Sequence, residues 1–236
     1  MADLSDSPLT LVIPVKDEDL TVLTQLLTEA KTLRIPTIVV DDGSTPPCPL
    51  ATLRVPVSQG YGAALKAGIA EATTPYVVTM DGDGQHNLMD VLRLAEFALY
   101  FPHLKMVIGD RRLRERGTRL WGRKGLNWLA TLFAGRWIAD LNSGLRIIDR
   151  QLVTGYAPIL CDQFSFTTSL TLAMLTDGYP VDWLPIKVAP RTHGQSKVKL
   201  WQDGWRTVCY IVFLGTVLRT RRLRAWLRGS RPIPCS

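Results

Sequence analysis

Histidine and cysteine are scarce in this chain of 236 residues, with three of the former and four of the latter. Cys48, Cys161, Cys209 and Cys235 are scattered and show no Cys-x-x-Cys spacing. That excludes a thiolate zinc pattern and a disulfide framework, and makes a reducing cytoplasm the natural setting. Long apolar runs are missing too. The longest uncharged stretch of the C-terminal helical candidate, Thr207 to Leu218, has 12 residues, against about 20 for a helix that spans a bilayer. The opening stretch MADLSDSPLT carries neither a basic cluster nor an apolar core, so no secretory signal is expected. Acids are absent from the C-terminal tail, where Arg219, Arg221, Arg222, Arg224, Arg228 and Arg231 supply all but one unit of the formal charge of +7. A whole-domain nucleic-acid binder is thereby excluded, and a local basic patch is favoured.

What is present suits one large α/β domain, or one domain with an extension: hydrophobic residues make up 46% of the chain, and no segment is repetitive or low in complexity. LTLVIPV (9–15), TIVVDD (37–42), LRVPV, PYVVTM (75–80) and KMVIG (105–109) are short runs that read as strands. Between them, Leu20, Leu23, Leu26, Leu27, Ala30 and Leu33 recur at helical spacing, and GYGAALKAGIAEA (60–72) and NLMDVLRLAEFAL (87–99) read as helices. Further on, a helix over 120–133, an extended SGLRIIDR (143–150), a helix in FSFTTSLTLAMLTDG (164–178), a strand in YPVDWLPIKV and a last helix from Lys199 to Arg228 are expected. Strands alternating with helices predict a mostly parallel sheet covered on both faces. Ligands of such sheets gather at the carboxyl ends of the strands.

Two of those ends carry acids. In TMDGDGQH (79–86), Asp81 and Asp83 alternate along an extended chain and so project to one side. Paired hard oxygens suit Mg²⁺ or Mn²⁺, ions commonly shared with substrate phosphates. Gly82 and Gly84 keep the approach open, and Gln85 or His86 supplies a further ligand, with Gln85 preferred. A polar loop that merely ends a strand remains the plain alternative. Asp41-Asp42-Gly43-Ser44 closes another strand, where one carboxylate can accept from a ribose or base and Ser44 caps the turn. GYGAAL fails the Gly-x-Gly-x-x-Gly fingerprint because Leu65 occupies its last position, which argues against a nicotinamide unit. A glycine-fronted helix beside a nucleotide stays plausible.

Taken in order, IPVKDE, VVDDGS, SQGYGAALKAGIAEA, MDGDGQH, GDRR, DLNSGLRIIDR and RTHGQSK resemble the GT-A glycosyltransferases of family 2, especially the polyprenol (dolichol) phosphate mannose synthase branch. The resemblance runs from about Leu9 to Lys199. It implies the GT-A fold, a Rossmann-like nucleotide-diphospho-sugar transferase built as a three-layer α/β/α sandwich. Residues 1–198 would form the catalytic domain, and 199–236 an amphipathic, basic, membrane-associated segment. Carried over by position, Pro14, Val15, Glu18, Asp42, Gly60, Asp81 and Gly82 would hold the nucleotide sugar, GDP-mannose or UDP-glucose. Asp81, Asp83 and Gln85 would hold the metal. Arg111, Arg119, Arg123 and Ser196 would meet an acceptor phosphate, while Asp83, Arg111, Arg191 and Lys197 would carry catalysis. Arg191, Ser196 and Lys197 match the loop that closes over the diphosphate in this family.

Two departures from the family pattern matter. Lys16-Asp17 replaces the usual residues before Glu18, and Thr167-Thr168-Ser169 stands where the family usually has a glutamate. A sugar hydroxyl needs a general base to attack, whereas a phosphate monoester, with a second pKa of about 6, is already anionic at neutral pH. The missing acid therefore favours a polyprenyl phosphate over a saccharide or cell-surface polymer. The expected reaction is inverting transfer of a hexose, mannose or glucose, at the cytoplasmic face of a membrane. Trp121, Trp128 and neighbouring leucines among Arg119, Arg123, Lys124 and Arg136, with YIVFLGTVL before the arginines, suit peripheral attachment. A membrane-protein partner and a non-catalytic nucleotide-sugar-binding module stay open, and no nucleic-acid partner is expected.

Overall fold

Seven of the short apolar runs join one sheet in the computed structural model, which describes residues 8–111, 118–189 and 200–227; side chains of 118–123, 200–204, 206 and 221–227 lie outside the description. The strands are β1 Leu9–Val15, β2 Thr37–Asp42, β3 Leu53–Val55, β4 Tyr76–Thr79, β5 Met106–Asp110, β6 Arg146–Asp149 and β7 Val181–Pro185. They lie in the order β3-β2-β1-β4-β6-β5-β7. All neighbours pair in parallel except β6, which runs antiparallel to both β4 and β5.

The helices are α1 Leu20–Thr32, α2 Tyr61–Glu71, α3 Leu88–Tyr100, α4 Thr118–Ala134, α5 Arg150–Tyr156, α6 Phe166–Thr176 and α7 Leu200–Leu227. Side chains fix several of their starts. Asp19 accepts from the amides of Thr21 and Val22, and Asn87 accepts from that of Asp90. Asp149 both ends β6 and caps α5 by accepting from Leu152. A strand thus becomes a helix at one residue, which is why the sequence reading of 143–150 as extended missed α5.

Alternate strand residues face opposite layers. Val12, Val40, Val77 and Ile148 join Leu65 and Ile69 of α2, Ala130 of α4, and α6 in one buried cluster. Ile13, Val39, Val78 and Ile147 join Leu23 and Leu26 of α1 and Val91 and Leu94 of α3 in the other. The result is the three-layer α/β/α sandwich expected from the sequence. Helix α6 is buried along its whole length. Helix α7 packs onto the same layer through Ile211, Leu214 and Leu218, and Gly215 lets it close on the Phe133 ring of α4. Arg219 then donates to the Leu132 and Phe133 carbonyls and caps the end of α4.

Gly68 marks where α2 rests on the sheet: a Cβ there would stand 2.5 Å from Val12 Cγ1 and 2.9 Å from Val40 Cγ2. Gly155, on the exposed side of α5, has nothing within 4 Å. Gly68→Val is expected to cost about 1–3 kcal/mol by overpacking, and Gly155→Ala to stabilise by roughly 0.5–1 kcal/mol. Urea midpoints moving in opposite directions would confirm this contrast.

Candidate active site

Strands β2, β1 and β4 end side by side at one rim of the sheet, and the strand-end acids gather there. Asp41 builds the turn after β2, with its Oδ1 accepting from Ser44 N at 2.8 Å and its Oδ2 from Cys48 N at 3.1 Å. Burial opposes its ionisation, but these hydrogen bonds and the Arg54 charge outweigh it and hold the carboxyl below its ordinary value. Asp42 is buried and accepts from Ser58 Oγ at 2.8 Å, Gln59 N at 2.7 Å and Gly60 N at 3.0 Å. Its carboxylate therefore ties the end of β2 to the entry of α2. Gly60 takes φ 114° there, and a Cβ would collide with the Asp162 carbonyl at 2.5 Å. The same loop takes up the start of α2, since Ala63 N donates to the Asp162 oxygen.

Asp81 follows β4 and lies against two other segments and against His86 of its own loop. Tyr61, the first residue of α2, donates its hydroxyl to Asp81 Oδ1 at 2.8 Å. A Cβ on Gly144 would stand 2.6–2.8 Å from the Asp81 carboxylate atoms, so any side chain there would displace that carboxylate. His86 Nε2 is 3.9 Å from Asp81 Oδ2. Burial and the Asp81 charge hold the Tyr61 phenol well above its ordinary pKa, so it stays protonated and donates. Burial holds His86 below the usual imidazole value, with Asp81 pulling the other way. Asp83 Oδ1 accepts from Gln85 N at 3.1 Å, and Gln85 O accepts from Ala189 N at 2.9 Å.

The reversal of β6 supplies the facing wall. Because β6 runs antiparallel to β4, with Arg146 opposite Thr79, its leading loop arrives at the rim where β4 ends. Thr79 Oγ1 donates to Gly144 O at 2.7 Å and locks that arrival. Arg111, just past β5, forms a two-pronged ion pair with buried Asp140, Nε to Oδ2 at 2.8 Å and Nη2 to Oδ1 at 3.0 Å. Arg146 is wholly buried and spends its guanidinium on the carbonyls of Leu141, Ser143 and Thr167 and on Thr171 Oγ1. Burial pushes its pKa down to about 10, which still leaves it charged at neutral pH. Thr168 Oγ1 donates to Asn142 Oδ1 at 2.6 Å, and Ser169 Oγ to Phe166 O at 2.7 Å.

Residues 10–158 match the family model of glycosyl transferase family 2. The chain belongs to this family. Among curated relatives, it is 28% identical over 185 residues to an uncharacterized glycosyltransferase of Mycobacterium tuberculosis, covering 68% of this chain and 77% of the relative. It is 25% identical over 177 residues to an uncharacterized protein of Methanocaldococcus jannaschii, covering 68% and 72%. Among solved structures it resembles glucosyl-3-phosphoglycerate synthase from M. tuberculosis in complex with UDP, with a TM-score of 0.66 at 21% identity over 88% of this chain and 80% of that one. The complex of that synthase with Mn²⁺, UDP-glucose and phosphoglyceric acid gives 0.68 at 20%, over 88% and 79%. These likenesses confirm the fold. In family 2 terms, the chain is a glycosyltransferase that uses a nucleotide sugar.

The donor set fits a divalent ion of the Mg²⁺ or Mn²⁺ kind. Asp81 and Asp83 offer hard oxygens, and His86 Nδ1 and Ser143 Oγ are buried close by with no hydrogen-bond partner. No group of three acidic, histidine or cysteine side chains forms a complete cage among the described residues. Two roles expected from the sequence are corrected here. Gly82 does not hold the approach open; it is buried, and a Cβ would press on Val15 Cγ1 at 3.0 Å and Ile13 Cγ2 at 3.2 Å. Gly84 takes φ 73° and sits against Val22. Pro14 and Val15 are buried in β1, and Glu18 is half-buried before α1. Side chains of Arg119 and Arg123 lie outside the described residues, as do Arg191, Ser196 and Lys197 altogether. Sequence reading missed Tyr61, Asp140, Gly144 and Arg146 as site residues. Their stretches, a tyrosine between two glycines and DLNSGLR, carried part of the family resemblance but gave these residues no role until α2, β4 and the reversed β6 met at the rim.

Arg146→Met should lower stability by at least about 3 kcal/mol, because several buried carbonyls lose their donor and each such loss costs about 1–3 kcal/mol. Chemical denaturation of the two proteins checks it.

Proposed function

We propose that the chain transfers a hexose, mannose or glucose, from GDP-mannose or UDP-glucose to a polyprenyl phosphate at a membrane surface, with inversion at the anomeric carbon, as the resemblance to the polyprenol phosphate mannose synthase branch suggests. One observation carries the acceptor reading. The stretch of α6 where a catalytic acid would be expected holds Thr167, Thr168 and Ser169, all buried, with Thr168 and Ser169 committed to internal hydrogen bonds. A hydroxyl acceptor would find no base there, whereas a phosphate needs none.

In this reading the nucleoside sits over the ends of β1 and β2, near Pro14, Val15, Glu18 and Gly60, with Asp42 shaping the Gly60 turn. Asp81 and Asp83, with Gln85 or His86, hold the ion, which would neutralise charge on the departing nucleoside diphosphate. Arg111, its plane fixed by Asp140, draws the acceptor phosphate with Arg119, Arg123 and Ser196. A phosphate oxygen attacks the anomeric carbon as the bond to the nucleoside diphosphate breaks on the opposite side, and no proton has to move. Arg191 and Lys197 add charge against the leaving group. Ala189, two residues before Arg191, is bonded to Gln85, which supports their recruitment to the diphosphate.

No described helix is long and apolar enough to cross a membrane. The outer face of α7 nevertheless exposes Trp205 by 67% and Phe213 by 66%, together with Val212 and Val217, and α4 exposes Trp128 by 60%. An apolar face followed by arginines suits peripheral seating on anionic lipid at the cytoplasmic face.

Labelled GDP-mannose and UDP-glucose, offered with polyprenyl phosphate, free saccharides or 3-phosphoglycerate, and with or without Mn²⁺, test the reaction. Label is expected in the organic phase with polyprenyl phosphate only; transfer to a water-soluble acceptor instead would overturn the reading. Asp83→Ala should cut the rate by roughly a hundredfold or more with an unchanged circular dichroism spectrum. For the membrane, joint replacement of Trp205 and Phe213 by Ser should abolish co-flotation with phosphatidylserine vesicles. Equal flotation of both proteins would refute that seating.

A further inference from the structure

The geometry at Asp81 points beyond the metal pair itself. We propose that Tyr61 is a positioning residue for Asp81: its hydroxyl pins Oδ1 and so leaves Oδ2 as the oxygen presented to a divalent ion. The proposal rests on the reading of Asp81 and Asp83 as the metal pair.

Three constraints converge on this carboxylate. The hydroxyl of Tyr61 reaches Oδ1 at 2.8 Å. The Gly144 backbone closes another side, since a Cβ there would fall within 2.8 Å of both oxygens. His86 Nε2 lies 3.9 Å from Oδ2, beyond hydrogen-bond range, so that oxygen keeps an open side. Tyr61 itself has little freedom to release its grip. Its ring stacks on Phe164 with centroids 5.6 Å apart and an interplanar angle of 17°. The residue before it, Gly60, is held by Asp42 and by the loop at Asp162 and Gln163. That loop is anchored in turn: Gln163 Nε2 donates to Gln59 O, and Lys66 Nζ pairs with Asp162. Ligating carboxylates that are themselves hydrogen-bonded bind their ions more tightly, because the oxygen that must face the ion is already aimed.

A tyrosine that merely satisfied its own buried hydroxyl would make a different prediction. Phenylalanine would then replace it with no effect on ion binding, since the ring and its stack on Phe164 persist. The test uses the full chain as wild type, Tyr61→Phe and Asp83→Ala. Each is titrated with Mn²⁺ alone, and the free ion is followed by electron paramagnetic resonance. Tyr61→Phe is expected to bind Mn²⁺ about tenfold more weakly with its thermal midpoint preserved. In transfer assays its half-saturating Mn²⁺ concentration should rise by the same factor, while kcat at saturating Mn²⁺ is retained. Wild-type affinity in Tyr61→Phe, alongside a weakened Asp83→Ala, would overturn the role of Tyr61 and leave the metal pair standing. Unchanged affinity in Asp83→Ala, or no binding by the wild type, would overturn the metal pair and this inference with it.

Discussion

Everything at the rim depends on one strand running the wrong way and on the buried cation at its start. β6 opposes both of its neighbours, so its leading loop is delivered to the end of β4 instead of the far edge of the sheet. Arg146 then fixes that loop from beneath, with its guanidinium surrounded by carbonyl oxygens and no carboxylate among its hydrogen-bond partners. A charge in that position is tolerable because the fork of donors meets acceptors in several directions at once. Two of those carbonyls, of Leu141 and Ser143, belong to the turn that carries Asp140, Asn142 and Gly144, and that of Thr167 belongs to α6. Arg146 thus sets where Asp140 meets Arg111, where Asn142 meets Thr168 and how closely Gly144 approaches Asp81.

The acids divide their labour in consequence. Asp41 and Asp42 are absorbed into turn building, each accepting backbone amides from the chain beyond β2. Asp140 is spent on Arg111 and fixes the plane of its guanidinium. Asp81 and Asp83 lie between these supports at half-buried depth, and this is the place proposed for the divalent ion. Tight glycine contacts mark the junctions: Gly60 against Asp162, Gly82 against Val15 and Gly144 against Asp81. At Gly60 a methyl group would meet the Asp162 backbone, and at Gly82 and Gly144 it would press on the neighbouring side chains.

Helix α7 links this architecture to the proposed membrane surface. Its inner face belongs to the core through Ile211, Leu214 and Leu218, and Arg219 finishes α4. Its outer face exposes Trp205, Val212, Phe213 and Val217, but the helix is not apolar enough to span a bilayer. Tyr210 and Thr207 on the same helix touch Ile159 and Ser165, at either end of the loop that carries Phe164 onto Tyr61. The surface helix and the Asp81 carboxylate are therefore joined by a short chain of packed contacts.

The local sequence determined much of this molecule. Period-two and period-3.6 patterns placed the strands and most helices, and the parallel directions of β1, β2 and β4 suit the helices inserted after β1 and before β4. The acids at strand ends were legible because a buried strand that stops on carboxylates has few reasons to do so. Other features could be decided only by tertiary structure. Nothing in RIID distinguishes a parallel strand from a reversed one, since both alternate in the same way. The partner of Tyr61 lies 20 positions away, and Thr167 and Thr171 lie 21 and 25 positions from Arg146, so these contacts leave no spacing to read. Likewise, the work done by Gly82 and Gly144 became visible only when the neighbouring chain arrived at their missing side chains. The sequence itself determined which residues could do chemistry, because that depends on side-chain type and local pattern. The fold decided which of them met, because that depends on strand direction and on close approach between distant segments.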